Sequence, residues 1–214
     1  MSGMCDPVTL LLLAIALAAP VAVWAWRLKL RLDSAIAVKE DAESRLKSMA
    51  QHDPLTGLPN RLLIADRLSQ AIYRAERQGR KVAVCFIDLI GFKKVNDDYG
   101  LDTGDALLAA LGQRAALRLR ATDSVGRLGG DALVLVLEDI DDADAALGLA
   151  RDVQQLICEP MEVSGHSCSV GASVGIAIYP DHGSNTPTLL RKADNAMYQA
   201  KRDGSGQVLV FAGD

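Results

Sequence analysis

Residues able to do chemistry gather at a few places in this chain. The apolar run VAVCFID ends on Asp88 and leads into LIGFKKVND, which carries Gly91, Lys93, Lys94, Asn96 and Asp97. Strand ends are where α/β sheets hold ligands. Backbone amides around a glycine, with Lys93 beside them, can cradle phosphates. Asp88 reads as well as the cap of a following helix. The stretch RLGGDALVLVL, Arg127 to Leu137, sets Gly129, Gly130 and Asp131 at a hairpin ahead of a strand of buried type. Such a turn can hold a phosphate or a metal, or simply close the hairpin. In GDAL, Gly104 to Leu107, Asp105 falls at a helix start, where capping is the plain reading. RATD, Arg120 to Asp123, ends five residues short of Gly129. A guanidinium fork can grip phosphate or a base edge and stack on a base. The plain alternative is a surface Arg–Asp pair after a helix already rich in arginine (Arg114, Arg118).

Other chemistries are excluded by composition and spacing. The net charge of −4 gives no pull toward nucleic acid. Cys5, Cys85, Cys158 and Cys168 are far apart with no C-x-x-C pair, so they read as small apolar residues, neither a disulfide framework nor a zinc site. His52, His166 and His182 show no metal-ligand spacing.

These residues need elements to position them. DPLTGLPNR, Asp53 to Arg61, is a turn and the boundary of the body. Asn60 caps a helix whose apolar stripe is Leu63, Leu68, Ala71, Ile72 and Ala75, ending near Gly79. A strand follows over 82–88, then a helix over 105–120, the Gly-Gly hairpin, and a helix over 142–158. A strand over 168–179, a helix over 186–201 and a last strand over 207–211 complete the body. Strands alternating with helices imply an α/β sheet with helices over it.

Ahead of the body, Pro7 to Trp26 carries no charge. About 20 such residues suffice for one helix to cross a bilayer. Trp24 and Trp26 sit where an aromatic belt would be, and Arg27, Lys29 and Arg31 follow at once, which places everything after them in the cytoplasm. The leader MSGMCDP lacks the basic residues of a cleaved signal peptide. The expected organisation is therefore a transmembrane anchor over 1–27, a helical stalk over 28–51 and the body over 52–214. The protein is expected to be single-pass in the inner membrane. Stalk residues Leu28, Leu32, Ala35, Ala42, Leu46 and Met49 keep a loose seven-residue pattern, which suits either a paired or a lone solvated helix.

Taken together and in order, the motifs resemble the GGDEF family, the diguanylate cyclase domains, across Gln51 to Phe211. HDPLTGLPNR resembles the family's opening motif, and IDLIGFKKVND resembles IDLDxFKxxND. RLGGDAL stands where RxGGDEF is expected, and SVGIAIYPDHG with LLRKADNAMYQAKRDG resembles the closing segment. The resemblance implies a nucleotidyl cyclase-like α/β fold with a central sheet flanked by helices. It implies a reaction that joins two GTP into cyclic di-GMP across a pair of facing domains, with Mg2+. It places Asp88 and Asp131 as metal ligands and catalytic acids, and Asn96 and Asp105 as readers of guanine. Lys93, Gly129, Gly130 and Lys201 fall at the substrate phosphates, and Arg120 and Asp123 at an inhibitory site for cyclic di-GMP.

Departures from the pattern bear on one centre. The glutamate of GGDEF is Ala132, the second acid of D-x-D is Ile90, and an arginine near the C-terminus is Ser205. Leu133 for phenylalanine is a mild apolar change. If one lost contact weakens transition-state stabilisation by about 4 kcal/mol, turnover falls about a thousandfold. The expectation is an impaired enzyme acting as a cyclic di-GMP receptor or adaptor, with Mg2+ present only if GTP binds. It would work as a homodimer, or as a heterodimer with another GGDEF protein. A weakly active cyclase and a vestigial, ligand-free interaction domain are the alternatives.

Overall fold

A computed structural model of the chain describes residues 24, 26–36, 38–39, 50–204 and 206–213. Residues 26–36 are helical. Nearly all of the anchor expected over 1–27, much of the stalk over 28–51, and Ser205 lie outside the described residues. Among those described, no helix is long and apolar enough to cross a membrane.

The body opens with helix α1 (Arg61–Gln78), whose first turn is closed by the Asn60 side chain accepting from the Leu62 and Leu63 amides. Its last turn ends on Gly79 at φ 65°, a left-handed position that glycine adopts without a Cβ penalty. Then come β1 (Lys81–Ile90), α2 (Phe92–Tyr99), α3 (Leu101–Ala116), β2 (Ser124–Gly129) and β3 (Ala132–Ile140). Next are α4 (Ala143–Cys158), a two-stranded hairpin of β4 (Met161–Val163) and β5 (His166–Cys168), β6 (Gly171–Tyr179), α5 (Thr186–Arg202) and β7 (Val208–Val210). The main sheet has five strands in the order β2-β3-β1-β6-β7. It is mixed: β6 and β7 run parallel and the other pairings are antiparallel.

β1 lies at the centre and is apolar on both faces, as a doubly covered strand must be. Ala83, Cys85, Ile87 and Leu89 join the larger core with Leu107, Leu108 and Leu111 of α3 and Val153 and Ile157 of α4. Val82 and Val84 face Ile64, Leu68 and Ile72 of α1 and Leu189 and Ala193 of α5. Cys85 is fully enclosed, and burial, with a smaller push from Asp123, raises its thiol to about 12. It is an inert core residue. Cys168 is buried as well and Cys158 half-buried, whereas Cys5 lies outside the described residues.

Two readings of the sequence need correction. The LIGFKKVND stretch, left without an element between the strand over 82–88 and the helix over 105–120, is mostly the helix α2, and the helix expected from Asp105 begins at Leu101 and ends at Ala116. Gly100, at φ 89° and ψ 161°, is the real break between the two helices. Gly104 looks like a breaker but lies inside α3, because a Cβ there would stand 1.7 Å from the Asn96 side-chain oxygen.

Candidate nucleotide site

The site forms at the end of β1. In the antiparallel register Asp88 lies opposite Ala132 on β3 and opposite Ser173 on β6. Directly opposed residues share a sheet face, as do residues two apart on one strand. Asp88, Ile90, Ala132 and Ser173 therefore present their side chains to one side, the side covered by α1 and α5. Leu133, one residue on, turns into the opposite core and is fully buried. The exchanges at 132 and 133 are thus unequal: the first faces the site and the second only fills space.

From α5, Lys201 sets its ammonium 2.6 Å from Asp88 Oδ2. That oxygen is buried and accepts no hydrogen bond of good angle, so the contact is a charge pairing alone. A divalent ion needs several oxygen ligands. Ile90 and Ala132 offer only alkyl groups, and the Ser173 hydroxyl accepts from the Gly206 amide at 3.3 Å. Among the described residues no three His, Cys, Asp or Glu side chains form a group able to hold a metal by themselves. Asp88 and Asp131 do not make an all-protein cage, and a Mg2+ here would take its other oxygens from a triphosphate and water.

Beyond Asp88, Gly91 at φ 83° turns the chain into α2, whose first residues include the exposed Lys93. The packing of α2 on α3 brings Asn96 over Gly104, with Asp105 next to it on the exposed side of α3. A side chain at 104 would displace the Asn96 amide, so the glycine makes room for that amide. Asn96 and Asp105, which the resemblance assigns together to guanine, thus meet at neighbouring positions, one packed over residue 104 and the other at 105.

The hairpin that carries Gly129 (φ 131°), Gly130 (φ 55°) and the half-buried Asp131 is braced from within. Arg127 Nη1 donates to both Asp53 carboxylate oxygens, at 2.9 and 3.1 Å. Its Nε and Nη2 donate to the Gly130 carbonyl at 3.0 and 2.9 Å. Asp53 also accepts from the Thr56 amide and hydroxyl at 2.9 and 2.7 Å. Burial pushes the Asp53 carboxyl upward, but the hydrogen bonds from Thr56 and Arg127 outweigh it and hold the group below its ordinary value of 3.8. Sequence reasoning missed Arg127 and Asp53. Their 74-residue separation leaves no local pattern, and the one available signal was a lone charge beside each glycine-rich turn.

Arg120 and Asp123 lie in the turn between α3 and β2. Both Asp123 oxygens are engaged: one accepts from the Arg120 amide at 3.0 Å, the other from the Glu138 amide at 3.1 Å. The exposed Arg120 side chain borders a cavity of about 330 Å3, with Arg118, Asp139 and Asp152 also on its wall. Arg118 is paired with Asp152, and Asp139 with Arg80. The Asp139 carboxyl is held down first by the hydrogen bond from Arg80, and further by the charges of Arg80 and Arg120.

A mixed five-stranded sheet, a strand-end aspartate and a braced Gly-Gly hairpin beside it define a domain of the nucleotidyl cyclase type. A family model described as diguanylate cyclase, GGDEF domain, matches residues 50–207, and the chain belongs to the GGDEF family. It is 46% identical over 170 residues to the bifunctional diguanylate cyclase/cyclic di-GMP phosphodiesterase MucR of Pseudomonas aeruginosa, covering 79% of this chain and 25% of MucR. The solved GGDEF domain of TpbB from the same species superposes with a TM-score of 0.73 at 38% identity, covering 75% of this chain and 94% of that one. A microbial GGDEF domain described for its interaction with bis-(3,5)-cyclic di-GMP superposes at 0.65 with 28% identity, over 77% of this chain and 99% of that one. The chain spans about a quarter of the length of MucR and 40% of TpbB diguanylate cyclase.

Proposed function

We propose that this chain is a GGDEF protein that forms little or no cyclic di-GMP and instead binds it, as a receptor or adaptor. One observation carries the reading: Asp88 faces the methyl of Ala132 across the β1–β3 register and has the Lys201 ammonium 2.6 Å from its Oδ2. Cyclases of the family generally use Mg2+ to draw charge from the triphosphate. Here Ile90 and Ala132 remove two carboxylates from the set that the resemblance implies for that ion.

Arg120 is the proposed contact for the ligand's phosphate or guanine. The hydrogen bonds at Asp123 suit a positioning role, holding the Arg120 turn against β3. Residues 1–27 are proposed to anchor the chain in the inner membrane, with the body in the cytoplasm and paired with a second GGDEF domain. The fit of Asn96 over Gly104 favours a second reading, a weakly active cyclase that still accepts GTP, with Lys93, Gly129 and Gly130 near its phosphates. Cyclic di-GMP titrated into the wild type and Arg120→Ala, with product formation from GTP assayed alongside, separates the two. The receptor reading expects binding that is lost in Arg120→Ala and no product. Product from the wild type supports the cyclase.

A further inference from the structure

A site that holds a triphosphate through a metal gathers carboxylates, which attract the ion and, without it, repel phosphate. In this chain two of those charges are gone from the face that Asp88 occupies. Ala132 lies directly opposite Asp88 and Ile90 lies two residues on. What is left on that face is the Asp88 carboxylate, 15% exposed, with the Lys201 ammonium 2.6 Å from its Oδ2. An ammonium has three donors on a flexible stem, so it can stay paired with Asp88 and offer donors outward. Lys201 is itself 41% exposed and therefore open to a ligand from solvent. Gly91 turns the chain just past Asp88 and starts α2, whose first amides add partial positive charge.

We infer that this site takes the phosphates of a guanine nucleotide without a divalent metal, Lys201 serving as its built-in counter-cation. The inference rests on the reading of Ala132 as the lost metal contact and of Asn96 and Asp105 as guanine contacts. It reverses the role of Asp88. In a metal-dependent site that carboxylate helps binding by holding the ion. In this site it competes with the phosphates for Lys201, and removing its charge frees the ammonium.

The test is calorimetric titration of GTP into the full chain in detergent, once in EDTA and once in excess Mg2+. Asp88→Asn and Lys201→Ala are run in both buffers. The expected result is the same affinity in EDTA and Mg2+ within about twofold, tighter binding in Asp88→Asn, and about tenfold weaker binding in Lys201→Ala. An unchanged urea unfolding midpoint shows that each variant is folded. Loss of about tenfold in EDTA, weaker binding in Asp88→Asn, or no GTP binding in either buffer overturns the inference. Cyclic di-GMP formed in the Mg2+ samples bears only on the non-cyclising reading, whereas the EDTA-to-Mg2+ ratio bears only on this one.

Discussion

In the β2–β3 hairpin Arg127 donates to the Asp53 carboxylate and to the Gly130 carbonyl, tying two distant turns together. Five positions later, Ala132 offers Asp88 nothing but a methyl group across the sheet. The hairpin has its brace, and Ala132 stands where the resemblance expects a carboxylate. Residues that shape the site are under a folding constraint, because an unpaired, mostly buried Asp53 would destabilise the whole domain. A carboxylate pointing at a metal is under no such constraint. An alanine at the solvent end of β3 fits the sheet just as well, so the fold does not depend on a carboxylate there.

The sharpest way to break the comparison is Arg127→Ala. It leaves Asp53 and the Gly130 carbonyl without their donor and is expected to cost about 2–3 kcal/mol in urea unfolding. A cost within about 0.5 kcal/mol would mean that the brace is ornamental. Next is Gly104→Ala. The change gains about 1 kcal/mol of helix propensity but forces the Asn96 amide from its place, where a Cβ would be 1.7 Å away. Stability should be nearly unchanged, while GTP affinity falls about fivefold or more. Unchanged affinity would remove Asn96 from the guanine contact.

A smaller effect follows from pH. The Asp53 carboxyl is held below 3.8 by Thr56 and Arg127 in spite of burial. Its contribution is therefore present above the unfolded value and is lost as pH falls through the folded one. Between about pH 5 and pH 3 the wild type should lose more stability than Asp53→Asn, measured as the shift in urea midpoint. Equal losses would place the acid sensitivity elsewhere. Smallest of all is the stability change in Ala132→Glu, expected within about 0.5 kcal/mol because position 132 is half-exposed at a strand start.

Local signals in the sequence carried much of the fold. Asn60 as a cap and Gly79 as a stop bound α1, and the unbroken apolar run at Val82–Ile87 marks a strand covered on both faces. The alternation of elements does not carry strand direction: the sheet is largely antiparallel, set by the hairpin and by long-range pairing of β1 with β6. α2 was hidden because eight residues between two left-handed glycines have the composition of a loop. Of the site, Asp88 was legible as an acid at a strand end, whereas the guanine roles of Asn96 and Asp105 and the phosphate role of Lys201 came from the resemblance. That Lys201 rests on Asp88, or that Gly104 exists for Asn96, is a fact of packing between elements far apart in the chain. Individual charges in a sequence do not disclose which partner neutralises them.

The most direct measurement is cyclic di-GMP formation from GTP and Mg2+ by the full chain in detergent, at high protein concentration, with Ala132→Glu beside it. Arg120→Ala is included in both backgrounds to remove feedback. The account predicts no product from the wild type or from Arg120→Ala alone, whatever activity the restored carboxylate brings back. Steady product from the wild type would contradict it, and would mean that Asp88 and Asp131 are a sufficient platform without the missing glutamate.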